Sequence, residues 1–155
     1  MAGAYIVVRI KGQADVPHWA ETTLKLLRLE KKHRATIIQS KENTRGMLDK
    51  VKHYVAWQEI DAGLAMELLT KRGRGPGYKK LTEKDLEGTD YPGIKELADA
   101  LATGKASMSK IDRIKPWFAL APPRHGFKRS TKKMYGQKGV LGANRELSEL
   151  VRSMI

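Results

Sequence analysis

The chain has 155 residues, of which 30 are lysine or arginine and 17 are aspartate or glutamate, so its formal net charge is +13, and it contains no cysteine. Without cysteine, a disulfide framework and thiolate zinc sites are excluded, and no apolar run approaches the roughly 18 residues that a membrane span requires. We therefore expect a single domain, or a small core with an extension, in a reducing cytoplasmic setting and with an acidic partner.

A first strand and a first helix are predicted near the N-terminus. Residues 5–10 form a β-branched run that ends at Gly12, and residues 1–10 lack the basic leader of a signal peptide. Pro17 suits the first turn of a helix. The apolar side chains of that helix repeat on one face, at Ala20, Leu24 and Leu27.

The next thirty residues continue the alternation of strand and helix. Residues 35–39 predict a second strand, and residues 55–60 return to strand composition. A helix lies between them, with Asn43 or Thr44 available as its N-cap. Its apolar side chains are Met47, Val51 and Tyr54. The order predicts a small α/β sandwich in which one helical layer covers a three-stranded sheet.

Residues 61–155 predict an extension that wraps on this core. Asp61 can cap a helix that must end at the glycine-rich residues 73–77, and residues 82–85 can open a short helical turn. The apolar positions of the first of these helices are Leu64, Ala65 and Leu68.

The rest of the extension predicts two further helices around a short apolar run. Pro92 opens a helix that Gly104 ends, and its apolar face consists of Ile94, Leu97, Ala98 and Leu101. Residues 117–121 make at most one brief strand. Asn144 caps a final helix, whose apolar side chains are Leu147, Leu150, Val151 and Met154.

The positive charge is concentrated in parts of the chain. Residues 1–60 carry 11 basic and 6 acidic side chains, residues 61–104 carry 7 and 8, and residues 105–155 carry 12 and 3. Residues 113–145 contain nine basic side chains and no carboxylate. The positive charges in such runs repel one another, and binding to phosphates neutralises them. The pattern therefore favours a nucleic-acid partner.

Residues 72–80 are one candidate RNA contact. Glycine lets the backbone approach a phosphate closely, arginine and lysine supply charge, and an exposed tyrosine can stack on an unpaired base. The alternative is a solvated turn between two helices, which the charge pattern makes the weaker interpretation. The candidate residues here are Arg72, Arg74, Tyr78, Lys79 and Lys80.

Residues 122–138 are the stronger candidate. They hold six lysines and arginines, with Phe127 and Tyr135 interleaved as stacking surfaces, and their glycines predict an irregular loop. The alternative is a mobile linker, but long structureless loops inside domains are uncommon unless they are functional. The candidate residues are Arg124, His125, Lys128, Arg129, Lys132, Lys133 and Lys138.

The sequence offers no convincing catalytic or cofactor site. The four histidines are scattered and none pairs at metal-ligand spacing. Gly104 and Lys105 are superficially similar to a phosphate-binding loop, but Asp99 replaces its first glycine and Ala106 replaces its hydroxyl residue. No nucleophile, base and oxyanion donor assemble. We expect no catalysis, no metal, no cofactor and no small-molecule substrate.

Four stretches carry a family resemblance. They are Leu26-x-x-Leu29 with Lys32-His-Arg-Ala-Thr-Ile-Ile38, Arg45-Gly-Met-Leu-Asp-Lys-Val51, Val55-Ala-Trp-Gln-Glu-Ile60, and Lys115-Pro-Trp-Phe through Pro122-Pro-Arg-x-Gly-Phe127. The sequence resembles the large-subunit ribosomal protein that bacteria number thirty and eukaryotes number seven. Residues 1–60 match the short bacterial form, and the tail resembles the archaeal and eukaryotic extension. The long basic N-terminal arm of eukaryotic members is absent, which indicates an archaeal form.

The resemblance implies an α+β fold, with a ferredoxin-like β-α-β-α-β core and a three-stranded antiparallel sheet in residues 1–60, and a helical and irregular basic extension in 61–155. It implies a structural constituent of the large subunit of the cytoplasmic ribosome, bound to rRNA near the 5S rRNA and beside other ribosomal proteins. The family's basic turn before strand two corresponds to Lys31, Lys32 and Arg34, and its Arg-Gly start of helix two corresponds to Arg45 and Gly46.

Three alternatives remain open at this point. A ribosome-assembly factor of the same fold would bind pre-ribosomal RNA and then leave, so sedimentation with mature subunits distinguishes it. An RNA-modifying or RNA-cleaving enzyme needs a poised acid–base pair, which the sequence does not contain. A DNA-coating protein fits the bulky apolar core and the irregular basic loops less naturally.

Overall fold

The computed structural model describes residues 3–86, 91, 93–111 and 114–155. Within these ranges the strands are β1 (Ala4–Arg9), β2 (Arg34–Gln39), β3 (Val55–Glu59), β4 (Phe118–Ala119), β5 (Ser130–Met134) and β6 (Gly139–Ala143). The helices are α1 (His18–Leu26), α2 (Glu42–Lys50), α3 (Ala62–Arg72), α4 (Ile94–Thr103) and α5 (Leu147–Met154). None of the described helices is long and apolar enough to cross a membrane.

The sheet contains the predicted antiparallel core and three further strands. β1 lies in the centre and pairs antiparallel with β2 and β3, with Val7 opposite Thr36 on one side and Trp57 on the other. The full strand order is β4-β2-β1-β3-β6-β5, in which β4 is antiparallel to β2 and β6 is parallel to β3. The α+β fold class is confirmed, whereas the sheet is twice as wide as expected.

The interpretation of residues 122–138 as an irregular loop is wrong for its second half. β5 pairs in parallel with β6, with an irregular register between Ser130 and Met134. A Cβ on Gly139 would collide with the Lys133 carbonyl, so this glycine permits the close approach of the two strands instead of preventing regular structure. The strands were missed because their pairing is long-range and β5 is a polar, mostly exposed edge.

Helices cover both faces of the sheet, not one. Ile6, Val7 and Val8 are all fully buried although consecutive side chains point to opposite faces. Val7 packs with apolar residues of α1 and α2, while Ile6 and Val8 pack with those of α3, α4 and α5. A strand that is apolar on both faces needs cover on both, and the extension supplies the second helical layer.

Two of the predicted helix ends are confirmed. Asp61 caps α3, because its Oδ1 accepts a hydrogen bond of 2.7 Å from the Leu64 backbone N–H. Gly104 ends α4 in the left-handed conformation with φ of 81°. Pro92, the expected start of α4, lies outside the described residues.

Two predicted N-caps are wrong. α2 begins at Glu42, so Asn43 and Thr44 lie inside its first turn. Asn144 is buried and its Oδ1 accepts from the Glu146 N–H at 2.8 Å, while α5 begins only at Leu147. Asparagine forms such local turns as readily as caps, so sequence spacing alone does not separate the two.

Candidate RNA interface

The basic turn at residues 31–34 lies at one end of the sheet. β1 ends there and β2 and β3 begin there, with Val8 opposite Ala35 and Arg9 opposite Val55. The Arg9 backbone carbonyl accepts a 2.8 Å hydrogen bond from the His33 N–H. The buried Arg9 guanidinium donates to the Leu29 carbonyl at 2.8 Å. Arg9, to which the sequence analysis assigned no role, therefore forms hydrogen bonds on both sides of this turn.

The loop at residues 71–80 reaches the same end. Arg72 Nη1 donates to the Ala119 carbonyl at 3.4 Å, and Ala119 is the sheet partner of Arg34. The loop is ordered by a hydrogen bond of 2.7 Å from the Gly75 N–H to the Lys79 carbonyl. The Arg74 guanidinium lies 5.8 Å from the centre of the Tyr78 ring. The predicted side chains that remain exposed in this loop are Tyr78, Lys79 and Lys80.

Residues 124–132, which belong to the basic segment at residues 122–138, also lie at this end of the sheet. The Phe127 ring stacks on His33, with centroids 6.1 Å apart and planes at 22°. Lys32 and Lys132 line one concavity of about 380 Å³ together with Lys11. We call the turn 31–34, the loop 71–80 and the segment 124–132 the basic end. Arg124, His125 and Lys128 are exposed in it, as is Lys31.

Several predicted contact residues in the basic end already have protein partners. The Arg34 guanidinium lies 4.6 Å from the centre of the Trp117 ring, and Lys115 Nζ lies 5.9 Å from that centre. Burial, and then the charge of Lys32, lower the pKa of His33, and both effects favour the neutral imidazole. The Phe127 ring already stacks on His33, so the exposed Tyr78 ring is the more accessible surface for stacking on a base.

The structure places Arg45 and Gly46 away from the basic end. Both are exposed in the second turn of α2, so they are not the start of the helix. Arg45 lines a second, larger groove of about 820 Å³, whose walls include Tyr5, Trp57 and Tyr135. The two aromatic residues of the strands, Tyr5 and Trp57, were not predicted as functional because alternation in a strand does not reveal which side chains stay uncovered.

The last three predicted residues lie around β5. Arg129 forms an ion pair of 3.2 Å with Glu146, and its guanidinium lies 4.6 Å from the centre of the Tyr135 ring. Lys133 and Lys138 are exposed. Among the residues placed by the structure, no three histidine, aspartate or glutamate side chains form a group that could hold a metal ion.

Comparison with known proteins decides the family. Residues 5–55 match the family model described as Ribosomal protein L30p/L7e. The chain is 60% identical over 155 residues to the large ribosomal subunit protein uL30 of Nitrosopumilus maritimus, an alignment that covers 100% of both chains. The chain belongs to the L30p/L7e family of ribosomal proteins.

Other archaeal members of the L30p/L7e family are similar over most of their length. The uL30 protein of Staphylothermus marinus is 43% identical over 162 residues, covering 100% of both chains. That of Nanoarchaeum equitans is 40% identical over 139 residues, covering 89% of each. The expected archaeal form is confirmed. This L30p/L7e chain is a structural protein of the large subunit of the cytoplasmic ribosome, so the enzyme alternative is wrong.

Proposed function

We propose that this large-subunit protein binds large-subunit rRNA chiefly through the basic end of its sheet, in the region of the subunit near the 5S rRNA. One observation carries the proposal. Lys32 and Lys132 come from distant parts of the chain, yet they line one concavity with Lys11, and none of the described residues that line it is a carboxylate. Three lysines that line one hollow, with no carboxylate among its described lining residues, suit a phosphate of an RNA backbone.

The surroundings of this concavity favour the same partner. Lys31, Arg124 and Lys128 are exposed in the basic end, so a backbone that enters the hollow meets further cations on leaving it. Each phosphate that these groups neutralise releases condensed counterions, which is the main source of affinity for such surfaces. The proximity to 5S rRNA rests on the family resemblance.

A double variant tests the concavity. Lys32→Ala with Lys132→Ala removes two of its three lysines, and Lys41→Ala with Lys105→Ala removes two exposed lysines at the opposite end of the sheet. Filter binding to large-subunit rRNA, measured over a salt series, should give a slope smaller by roughly 0.7 to 0.9 per lost contact for the first pair alone. Equal slopes for the two pairs would contradict the proposal.

The location near 5S rRNA needs a separate experiment. Because the chain has no cysteine, a single cysteine at Lys128 can carry an iron chelate that cleaves nearby RNA in reconstituted subunits. We expect cleavage of 5S rRNA from Lys128→Cys and none from Lys105→Cys. Cleavage from neither, or only from the second, would refute the location. Retention of about one copy in sedimented mature subunits would exclude the assembly-factor alternative.

A further inference from the structure

The groove beside α2 has a wall formed by one helix face and one sheet face. Arg45, Leu48 and Asp49 stand at i, i+3 and i+4 in α2, so they share the face that lines the groove. On the sheet, Tyr5 is directly opposite Glu59, and Trp57 is two residues before Glu59 on the same strand. These three side chains therefore point to the same face.

The third wall comes from the end of β6 and the turn after β5. Ala143 is the sheet partner of Trp57 and lines the groove with it, so the side chain beside Trp57 in this wall is a small one. The Arg129 guanidinium lies 4.6 Å from the centre of the Tyr135 ring and is itself paired with Glu146. Tyr5 and Trp57 are diagonal neighbours, a spacing within reach of aromatic side chains. The groove thus combines aromatic surfaces with open space between them.

Four charged side chains in this groove have no counter-ion within 4.0 Å among the described residues. Across residues 3–86, 91, 93–111 and 114–155, the ion pairs within 4.0 Å are Arg129 with Glu146 and Arg152 with Glu67. Neither the arginines of the groove nor its carboxylates take part in them. These side chains are Arg45, Arg145, Asp49 and Glu59. The groove therefore offers two cations and two anions that face a common space without having paired with one another.

The two amide side chains in the same wall, Gln58 and Asn144, are already engaged. Gln58 Nε2 donates to the Arg145 carbonyl at 2.8 Å, and Gln58 Oε1 accepts from the Ser148 N–H at 2.8 Å. The Asn144 amide donates to the Val140 carbonyl at 3.0 Å. A ligand would therefore meet the four charged groups and the aromatic rings, and it must supply both an anion and hydrogen-bond donors.

We propose that this groove binds a single unpaired guanine nucleotide of RNA. The base stacks against Trp57 and Tyr5, the Glu59 carboxylate accepts from its N1–H and its 2-amino group, and Arg45 and Arg145 contact the flanking phosphates. An ionised carboxylate is an acceptor with two oxygens, so it suits the two adjacent donors of guanine better than the mixed donor and acceptor edges of adenine or cytosine. The inference rests on the proposed function in so far as RNA is the ligand.

The test uses the full-length protein and short ribonucleotides. The probes are UUGUU, UUIUU, in which inosine lacks the 2-amino group, and UUAUU. We expect the wild type to bind the guanine probe about tenfold more tightly than the other two. Glu59→Gln should abolish this preference, whereas the matched change Glu149→Gln, at an exposed position of α5, should retain it.

A second variant fills the groove without changing its charge. Ala143→Leu should weaken binding of all three probes, while the circular dichroism spectrum stays that of the wild type and binding of large-subunit rRNA remains strongly salt-dependent through the basic end. A guanine preference that is absent in the wild type, or that survives Glu59→Gln, would overturn the inference. If rRNA binding kept its salt dependence in that experiment, the proposed function would still stand.

The competing occupant is a protein segment. If Ala143→Leu left probe binding unchanged but released a neighbouring ribosomal protein from reconstituted subunits, the groove would be a protein-docking site and the guanine proposal would be wrong. If the wild type showed no salt-dependent rRNA binding at all, the proposed function would fail independently of this result.

Discussion

Arg9 is the residue on which the local order of the basic end depends most. It is among the largest fully buried side chains, with 2% of its surface exposed. Its guanidinium donates to the carbonyls of Leu29, Lys11 and Gly12 at 2.8, 3.0 and 3.2 Å. Burial lowers its pKa, and the charge of Glu21 partly opposes that effect. Three charge-assisted hydrogen bonds offset the cost of burying the charge.

Replacing this buried arginine should destabilise the fold. We expect Arg9→Met to lower the free energy of unfolding by about 3 kcal/mol or more, because three carbonyls lose a charged donor and at least one of them stays buried. Urea unfolding measures the loss. Arg28→Met, at an exposed position in the same part of the chain, should change stability by no more than about 0.5 kcal/mol. Similar losses in the two variants would contradict this role of Arg9.

His33 should give the fold a specific pH dependence. Its folded-state pKa lies below the ordinary value of 6.5, first because of burial and then because of Lys32. The unfolded chain therefore takes up the proton at higher pH than the folded chain. The stability contributed by neutral His33 is complete above pH 6.5 and is lost as the pH falls from 6.5 towards the folded-state pKa.

The measurement compares unfolding in urea at several pH values. His33→Asn keeps a residue that tolerates the left-handed backbone at this position, where φ is 65°, but does not titrate. The variant should be less stable at every pH through loss of the contact with Phe127, and its stability should fall less than that of the wild type below about pH 6.5. Parallel pH profiles would refute the prediction.

At the scale of elements, α3, α4 and α5 are part of the core that the first three strands need. Leu97 of α4 and Leu64 of α3 are fully buried in the cluster that also contains Ile6 and Val8 of β1. The division into a core of residues 1–60 and an extension of residues 61–155 stays a prediction about independent folding units. A core strand with one uncovered apolar face would expose a large hydrophobic surface to water.

A pair of leucine variants tests the contribution of the second helical layer. Leu97→Ala should cost about 2 to 5 kcal/mol through lost burial and a cavity. Leu26→Ala removes the same atoms from a helix position that is 69% exposed, and it should cost less than about 0.5 kcal/mol. Urea unfolding of both variants provides the comparison. A mild effect of Leu97→Ala would mean that α4 contributes little to covering the sheet.

At the scale of the whole molecule, the two candidate sites differ in the charges that they carry. The basic end gathers cations from three separate segments, whereas the groove beside α2 carries two arginines and two carboxylates. Under the proposed function, we expect the net charge of +13 to act mainly through the basic end. In the two proposals above, the basic end contributes phosphate contacts, which give affinity and orientation, and the groove contributes base contacts, which give selectivity.

The net charge predicts the salt response of the intact protein. We expect the affinity of the wild type for large-subunit rRNA to fall by orders of magnitude between about 50 and about 200 mM salt, because counterions released from phosphates drive binding. Filter binding across this range measures the slope. An affinity that barely changed would remove the electrostatic basis of the proposed function.

Local patterns determined much of the fold from the sequence alone. The spacing of Ala20, Leu24 and Leu27 placed a helix whose inward face is buried as expected, and Asp61 and Gly104 marked real helix ends. These predictions are correct because side-chain periodicity and capping depend on residues that are only a few positions apart. The concentration of positive charge can likewise be read from the sequence, and it indicates an acidic partner.

Only the tertiary structure decided which distant residues meet. β5 and β6, the second helical layer, and the meeting of Lys32 with Lys132 all depend on contacts between residues far apart in the chain, which no local pattern contains. The same holds for the groove: Arg45 was predicted from a motif, but Trp57 and Glu59 became candidates only when strand pairing set them beside it. Periodicity specifies which side of an element is buried, whereas the partner that buries it, or leaves it open, is chosen by the packing of the whole chain.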